Sequence, residues 1–197
     1  MIPSFPPVEL RPLIEEIGKL LKENGQTVSV AETAAGGIIS ACLLSIPGAS
    51  GFYKGGLTLY TLESRIAFAG WTEETLKGYK WVSFLCVFSV CINSSHFDSG
   101  PTPEVVSGLA KNVREKLQST YTICESGTAG PTGNPALRNR TPGYVALAIA
   151  SHDAVVTREV ETGLFDREAN MVAFSAAALT LLRDILKGSQ SFDAGRS

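Results

Sequence analysis

The residues predict an α/β domain built on a mixed sheet, and three observations carry that reading. Val28 and Val30 alternate with Thr27 and Ser29 as a short strand, and a small, polar Glu32-Thr33-Ala34-Ala35-Gly36-Gly37 run then leads into apolar residues at helical spacing. Tyr144–Ala150 is a nearly continuous apolar run, as expected of a strand buried on both faces. His152-Asp153 turns tightly into Val155–Glu161, whose alternation marks a second strand antiparallel to the first. A chain of 197 residues is long enough for one such domain with a substantial core.

Taken in order, a first helix is predicted from Val8 to Asn24, with Leu10, Leu13, Ile14, Ile17 and Leu21 on one face and Asn24-Gly25 as its stop. The Thr27 strand follows, then a helix carrying Ile38, Ile39, Cys42, Leu43 and Ile46, ended by Pro47-Gly48. Gly55–Leu62 reads as a strand delivering Tyr60 and Thr61 to its end, and a short helix from near Glu63 puts Arg65 one turn beyond that tyrosine. Thr102-Pro103-Glu104 combines a capping hydroxyl, a proline at the first helical position and an early acid, and opens a helix faced by Val105, Val106, Leu109, Val113 and Leu117. Tyr121–Glu125 is a strand that empties into a glycine-rich loop through Asn134. After the antiparallel pair, Asp166 caps a last helix with Val172, Leu179, Leu182 and Leu186 inside, and the polar residues from Gly188 to Ser197 are expected to be disordered.

The totals exclude several function classes. A net charge of −2 argues against a surface that tracks nucleic-acid phosphates. Cys42, Cys86, Cys91 and Cys124 sit in apolar surroundings without paired spacing and read as reduced thiols. His96 and His152 are the two histidines, so neither a histidine triad nor a His/Cys metal site is expected. No cofactor is expected either. The amino terminus lacks the basic and apolar regions of a signal peptide, which makes a cytoplasmic location the simplest expectation.

The turn at Glu32–Gly37 puts a hydroxyl, a carboxylate and helix amino-terminal amides at the carboxyl end of a strand, where open α/β sheets bind ligands and the amides favour an anion. Gly36 and Gly37 serve either this or simple helix–sheet packing. Gly127, Gly130 and Gly133, with Thr128 and Thr132 between them, form a second candidate wall for a ribose or phosphate. This is no Walker loop, since the Gly-Lys-Ser/Thr ending is missing.

Five pieces occur in order: Ala31-Glu32-Thr33-Ala34-Ala35-Gly36-Gly37, Ile46-Pro47-Gly48-Ala49-Ser50, Leu59-Tyr60-Thr61-Leu62-Glu63, Gly127-Thr128-Ala129-Gly130-Pro131-Thr132-Gly133 and Asp166-Arg167. As a set they resemble the CinA C-terminal domain family over nearly the whole chain. The resemblance implies a three-layer α/β/α sandwich with a mixed sheet, in one domain over residues 1–187. It also implies an amidohydrolase that converts nicotinamide mononucleotide to nicotinate mononucleotide and ammonia. The expected partner is thus a small nucleotide, with neither nucleic acid nor membrane; self-association is left open.

By the same resemblance Thr33, Tyr60 and Arg65 are the catalytic candidates. Glu32, Gly36, Gly37, Glu63, Gly127, Thr128, Gly130, Thr132, Gly133 and Arg167 are the candidates for holding substrate. Two positions depart from the family pattern. Thr33 stands where the family has its nucleophilic serine, and its extra methyl stiffens the side chain and crowds attack on a carbonyl. Arg65 stands where the family has its activating lysine, and a guanidinium keeps its proton at any relevant pH. It is able to grip a phosphate or an oxyanion but not to act as a base. Phe165 replaces the glycine before Asp166-Arg167. A non-catalytic nucleotide-binding module that kept the pocket is therefore the alternative to an enzyme.

One stretch is foreign to this scheme. Trp81–Ile92 is strongly apolar but, at about a dozen residues, too short for a membrane span of roughly 17 to 25. Deleting roughly residues 80–99 restores the family spacing, so the stretch is read as a translated intron or gene-boundary artefact, with a genuine extra strand or lid as the alternative.

Overall fold

The computed structural model describes residues 5–70, 100–190 and 192. The apolar run Trp81–Ile92, Cys86, Cys91 and His96 lie outside the described residues. In chain order the elements are α1 (Arg11–Glu23), β1 (Val28–Glu32), α2 (Ile38–Leu44), β2 (Tyr53–Thr58), α3 (Leu62–Phe68), α4 (Pro103–Leu117), β3 (Tyr121–Gly127), β4 (Tyr144–Ala150), β5 (Val155–Glu161) and α5 (Arg167–Leu186). They form one five-stranded sheet in the order β2-β1-β3-β4-β5. β1 runs parallel to β2 and to β3, while β4 is antiparallel to both β3 and β5, so the sheet is mixed.

Side-chain alternation divides the sheet into two cores. Val28, Val30, Ile123, Val145, Leu147 and Ile149 face one side and pack beneath α1, α2 and α5 through Ile14, Ile17, Leu21, Ile39, Phe174, Leu179 and Leu182. Ala31, Cys124, Tyr144, Ala146, Ala148 and Ala150 face the other, against Val106, Leu109, Ala110 and Val113 of α4 and Leu59 and Ala69 beside α3. Helices on both faces of one sheet make the three-layer α/β/α arrangement. β4 is buried at every position because it is covered on both sides. Among the described residues α5 alone has the length and apolarity to cross a bilayer. It is the core helix here: Phe174, Ala178, Leu179, Leu181 and Leu182 are fully buried against the protein.

The local signals account for most boundaries. Thr102 caps α4 by accepting from the Val105 amide at 3.3 Å, with Pro103 at the first helical position. The Asp166 carboxylate accepts from the Ala169 amide at 2.8 Å and opens α5. Three details differ from the sequence reading. Val8–Leu10 is a single 3-10 turn, and the α-helix proper starts at Arg11. β3 continues to Gly127, because its last residues pair with Val145 and Ala146 of β4. β2 occupies Tyr53–Thr58 instead of Gly55–Leu62. After the Leu59 amide donates to the Glu32 carbonyl at 2.8 Å the chain bends away, and the Thr61 hydroxyl caps α3 through the Ser64 amide at 3.3 Å. Tyr60 consequently sits in a bend between strand and helix. Within the carboxy-terminal segment, Gln190 accepts from Arg158 at 3.0 Å and the Phe192 ring stacks on Tyr121 with centroids 6.2 Å apart, so these two residues are held by the body of the domain.

The Asp166 cap fixes the helix end from which Arg167 projects, and its value is measurable. Asp166→Ala is expected to lower stability by about 1 kcal/mol, read as a lower urea midpoint with an unchanged slope.

Candidate active site

The strand order reverses at β1: α2 on one face leads out to β2, whereas α3 and α4 on the other face bring the chain back to β3. Such a switch point, at the β1/β3 pair, leaves a crevice at the carboxyl ends of the strands. A cavity of about 390 Å³ opens there, within the range of small-ligand sites. The end of β1 gives it Thr33 and Ala34, the β2–α3 bend gives Tyr60, α3 gives Arg65, and the approach to α4 gives Gly100 and Pro101. β3 and its loop contribute Ser126, Gly127, Thr128, Ala129, Gly130, Thr132 and Arg140, and α5 contributes Arg167.

The three catalytic candidates meet in this cavity. Thr33 is nearly buried, and its hydroxyl donates to the Ser126 hydroxyl at 3.2 Å. Arg65 is 8% exposed, and its Nε donates to the Leu59 carbonyl at 3.2 Å, which fixes the guanidinium beneath the β2–α3 bend. Tyr60 is largely exposed at the rim, where its hydroxyl accepts from Arg167 Nη2 at 3.2 Å. Arg167 Nη1 donates to the Gly130 carbonyl at 3.0 Å, and the guanidinium lies 6.0 Å from the centre of the Tyr60 ring. Arg167 thereby ties together α5, the glycine loop and the Tyr60 bend.

The substrate-holding candidates divide. Gly127, Thr128, Gly130, Thr132 and Arg167 line the cavity, whereas Glu32, Gly36, Gly37, Glu63 and Gly133 do not. Glu32 is fully buried, and its carboxylate accepts from the Ile39 and Ser40 amides, both at 3.0 Å, and from the Ser40 hydroxyl at 2.6 Å. Gly37 is the residue that caps α2, with φ of 102°, so its role is in the backbone. Glu63 is exposed on α3, its carboxyl held below the usual range by its own backbone amide and the Thr61 hydroxyl. At Gly127 a Cβ would lie 2.6 Å from the Phe174 ring and 2.9 Å from the Tyr144 carbonyl, so close packing already requires the missing side chain there.

Two residues central to this geometry carried no motif. Ser126 receives the Thr33 proton donor. Glu125, its neighbour on β3, is fully buried on the opposite face and accepts from the Thr33 amide at 3.1 Å and the Ala35 amide at 2.8 Å with one oxygen. Burial pushes its carboxyl up to about 7, against the pull of those two amides, with the charge of Glu32 adding to the rise. The amides expected to await a ligand are therefore partly committed: those of Thr33 and Ala35 serve Glu125, and those of Ile39 and Ser40 serve Glu32. Parity on β3 was the available signal, since an acid two residues after Ile123 shares its inward face.

The glycine loop is pinned from outside. Arg138 ion-pairs with Glu159 and Glu161 on β5, and the Tyr144 hydroxyl donates to Glu159. Inside the loop Thr128 donates to the Asn139 carbonyl at 2.9 Å and the Asn134 amide to the Arg140 carbonyl at 2.9 Å. Thr132 and Arg140 thus reach the cavity from a braced segment. Among the described residues the lining holds three arginines, Arg65, Arg140 and Arg167, and no Asp, Glu, Lys or His. That set suits an anion and supplies hydrogen-bond donors, but offers no conventional base.

Because Gly127 is required by packing, Gly127→Ala is expected to cost about 1–3 kcal/mol by overpacking. A lowered thermal midpoint in the ligand-free protein is the readout.

Comparison with known proteins agrees with this architecture. The family model described as CinA C-terminal domain matches residues 10–95 and 98–186. A CinA-like protein of Chloroherpeton thalassium is 33% identical over 181 residues, covering 90% of this chain and 38% of that protein. A putative competence-damage inducible protein of Halothermothrix orenii is 30% identical over 177 residues, with 90% and 38% covered. The chain thus spans well under half the length of these curated relatives. Among solved structures, the competence/damage inducible protein CihA from Agrobacterium tumefaciens superposes with a TM-score of 0.77 at 23% identity, over 94% of this chain and 99% of its own. The competence damage-inducible protein A from Klebsiella pneumoniae gives 0.75 at 20%, over 91% and 98%. With the family model spanning nearly every residue from 10 to 186, the chain belongs to the CinA C-terminal domain family.

Proposed function

We propose that the cavity binds a pyridine mononucleotide of the nicotinamide class and that amide hydrolysis there is strongly attenuated. The observation that carries this reading is the meeting of Thr33, Tyr60, Arg65 and Arg167 around one cavity that holds three guanidinium groups. The amidohydrolase chemistry and the pyridine ligand come from the family resemblance. The cationic lining supports a phosphate-bearing ligand on physical grounds.

In the hydrolytic reading, the Thr33 oxygen attacks the amide carbonyl carbon and the carbonyl oxygen becomes an oxyanion facing Arg65. Collapse breaks the C–N bond and ammonia leaves with the proton given up by Thr33; water then cleaves the Thr33 ester to the carboxylate. The first proton has to leave the Thr33 hydroxyl, and the group it meets is the Ser126 hydroxyl, a poor acceptor. General-base assistance is worth about 10²- to 10⁴-fold, so its absence depresses turnover by that order. The second reading, a binding module without turnover, is favoured by the same lining: no Asp, Glu, Lys or His among its described residues.

Calorimetry with nicotinamide mononucleotide and an ammonia-release assay test the proposal together. Binding is expected in the unaltered chain, with ammonia release about 10²-fold or more below that of a Thr33→Ser, Arg65→Lys double variant. Arg167→Ala is expected to weaken binding about 10-fold or more, as loss of a charged hydrogen bond implies. Absence of binding sinks the reading, as does brisk deamidation that survives Thr33→Val.

A further inference from the structure

The fold places two fully buried carboxylates side by side. Glu32 on β1 and Glu125 on β3 are register partners in the parallel pair, and Leu147 of β4 stands opposite Glu125 on its other side. They are not equivalent. Glu32 uses both oxygens, taking three hydrogen bonds from the start of α2. Glu125 uses only Oε2, which accepts from the Thr33 and Ala35 amides, while Oε1 is buried and reached by no hydrogen bond among the described residues.

A buried oxygen without a hydrogen-bond partner costs a charged carboxylate considerably more than it costs a neutral carboxylic acid. The acid form also keeps Oε2 as the acceptor for both amides. We propose that Glu125 is a positioning residue acting as a proton switch beneath Thr33: protonated on Oε1 it is neutral beside Glu32, and on losing that proton it sets a second negative charge there and draws the Thr33 and Ala35 amides more tightly onto Oε2, resetting the turn that carries the Thr33 hydroxyl into the cavity.

The surroundings leave this switch to Glu125. The charged groups acting on it are Glu32 from β1 and Arg65 from α3, which oppose each other. Burial pushes the Cys124 thiol on β3 well up and that of Cys42 on α2 up to about 11, so neither competes near neutrality. α5 packs over this end of the sheet with Met171 against Gly36 and Phe174 against Gly127, both uncharged. The folded value near 7 lies above the unfolded value of about 4.3. The stability contributed by the neutral acid is therefore complete below the unfolded value and is lost as pH rises through about 7.

The inference concerns the same cavity as the proposed function but needs no ligand, so the test uses the ligand-free chain. The amide 1H–15N shifts of Thr33 and Ala35 are followed from about pH 5 to 9, bracketing the folded value, in the unaltered protein and in Glu125→Gln. Expected are one shared midpoint near 7 for both amides and its loss in the variant, together with loss of the matching fall in unfolding midpoint with pH. Flat amides in the unaltered protein, or the same titration persisting in Glu125→Gln, overturn the proposal. Should Glu125→Gln fail to fold, the side-chain carboxyl 13C shift of Glu125 in the unaltered protein decides: a midpoint within about one unit of neutrality supports the switch, and one below about 5 removes it.

Discussion

The structure depends on how the amides of the first turn after β1 are satisfied. A strand that ends in a tight turn into a short helix leaves backbone N–H groups inside the protein, and each needs an acceptor. Here two acids supply them from within: Glu125 for Thr33 and Ala35, Glu32 for Ile39 and Ser40. Both acids sit at the carboxyl end of adjacent parallel strands, on the face covered by α1, α2 and α5. The turn is thereby fastened to the sheet from below, and the Thr33 side chain is left to face the other way.

Strand parity then divides labour between the two faces. Glu32 and Glu125 point to the α2 and α5 side and hold the backbone. Thr33 and Ser126, one residue beyond Glu32 and Glu125, meet above the α3 and α4 side, where Arg65 arrives from α3. With the amides of Thr33, Ala35, Ile39 and Ser40 committed, the positive charge at the cavity comes from side chains. Arg167, braced on the Gly130 carbonyl and the Tyr60 hydroxyl, is the best oriented of these. A planar guanidinium with two fixed hydrogen bonds presents its remaining donors in a defined direction, which a lysine ammonium would not.

Much of this was legible in the residues. The apolar run of β4, the Val155–Glu161 alternation, the Thr102 and Asp166 caps and the antiparallel end of the sheet follow from local chemistry, and the fold carries them as expected. The motifs around Thr33, Tyr60, Arg65 and Arg167 are ones that the fold brings to a single cavity. What local pattern did not show was long-range register. That Glu32 and Glu125 become neighbours depends on β1 pairing with β3 across an intervening strand and three described helices. The Thr33 to Ser126 contact depends on the same pairing. Glycines are ambiguous for a related reason: one needed because an added Cβ would meet Phe174 or a carbonyl looks, in sequence, the same as one that makes room for a ligand, and Gly127 is both tightly packed and in the cavity lining. Arg140 escaped notice because its place at the cavity is set by the Arg138 clamp to β5.

The central claim is that this turn is anchored from inside and that anions are received by guanidinium groups across the cavity. A crystal structure with nicotinamide mononucleotide bound tests it most directly. The account predicts the phosphate on Arg167 beside the glycine loop, with the Thr33 and Ala35 amides still on Glu125. A phosphate seated on those two amides, with the Glu125 carboxyl turned away, would contradict it.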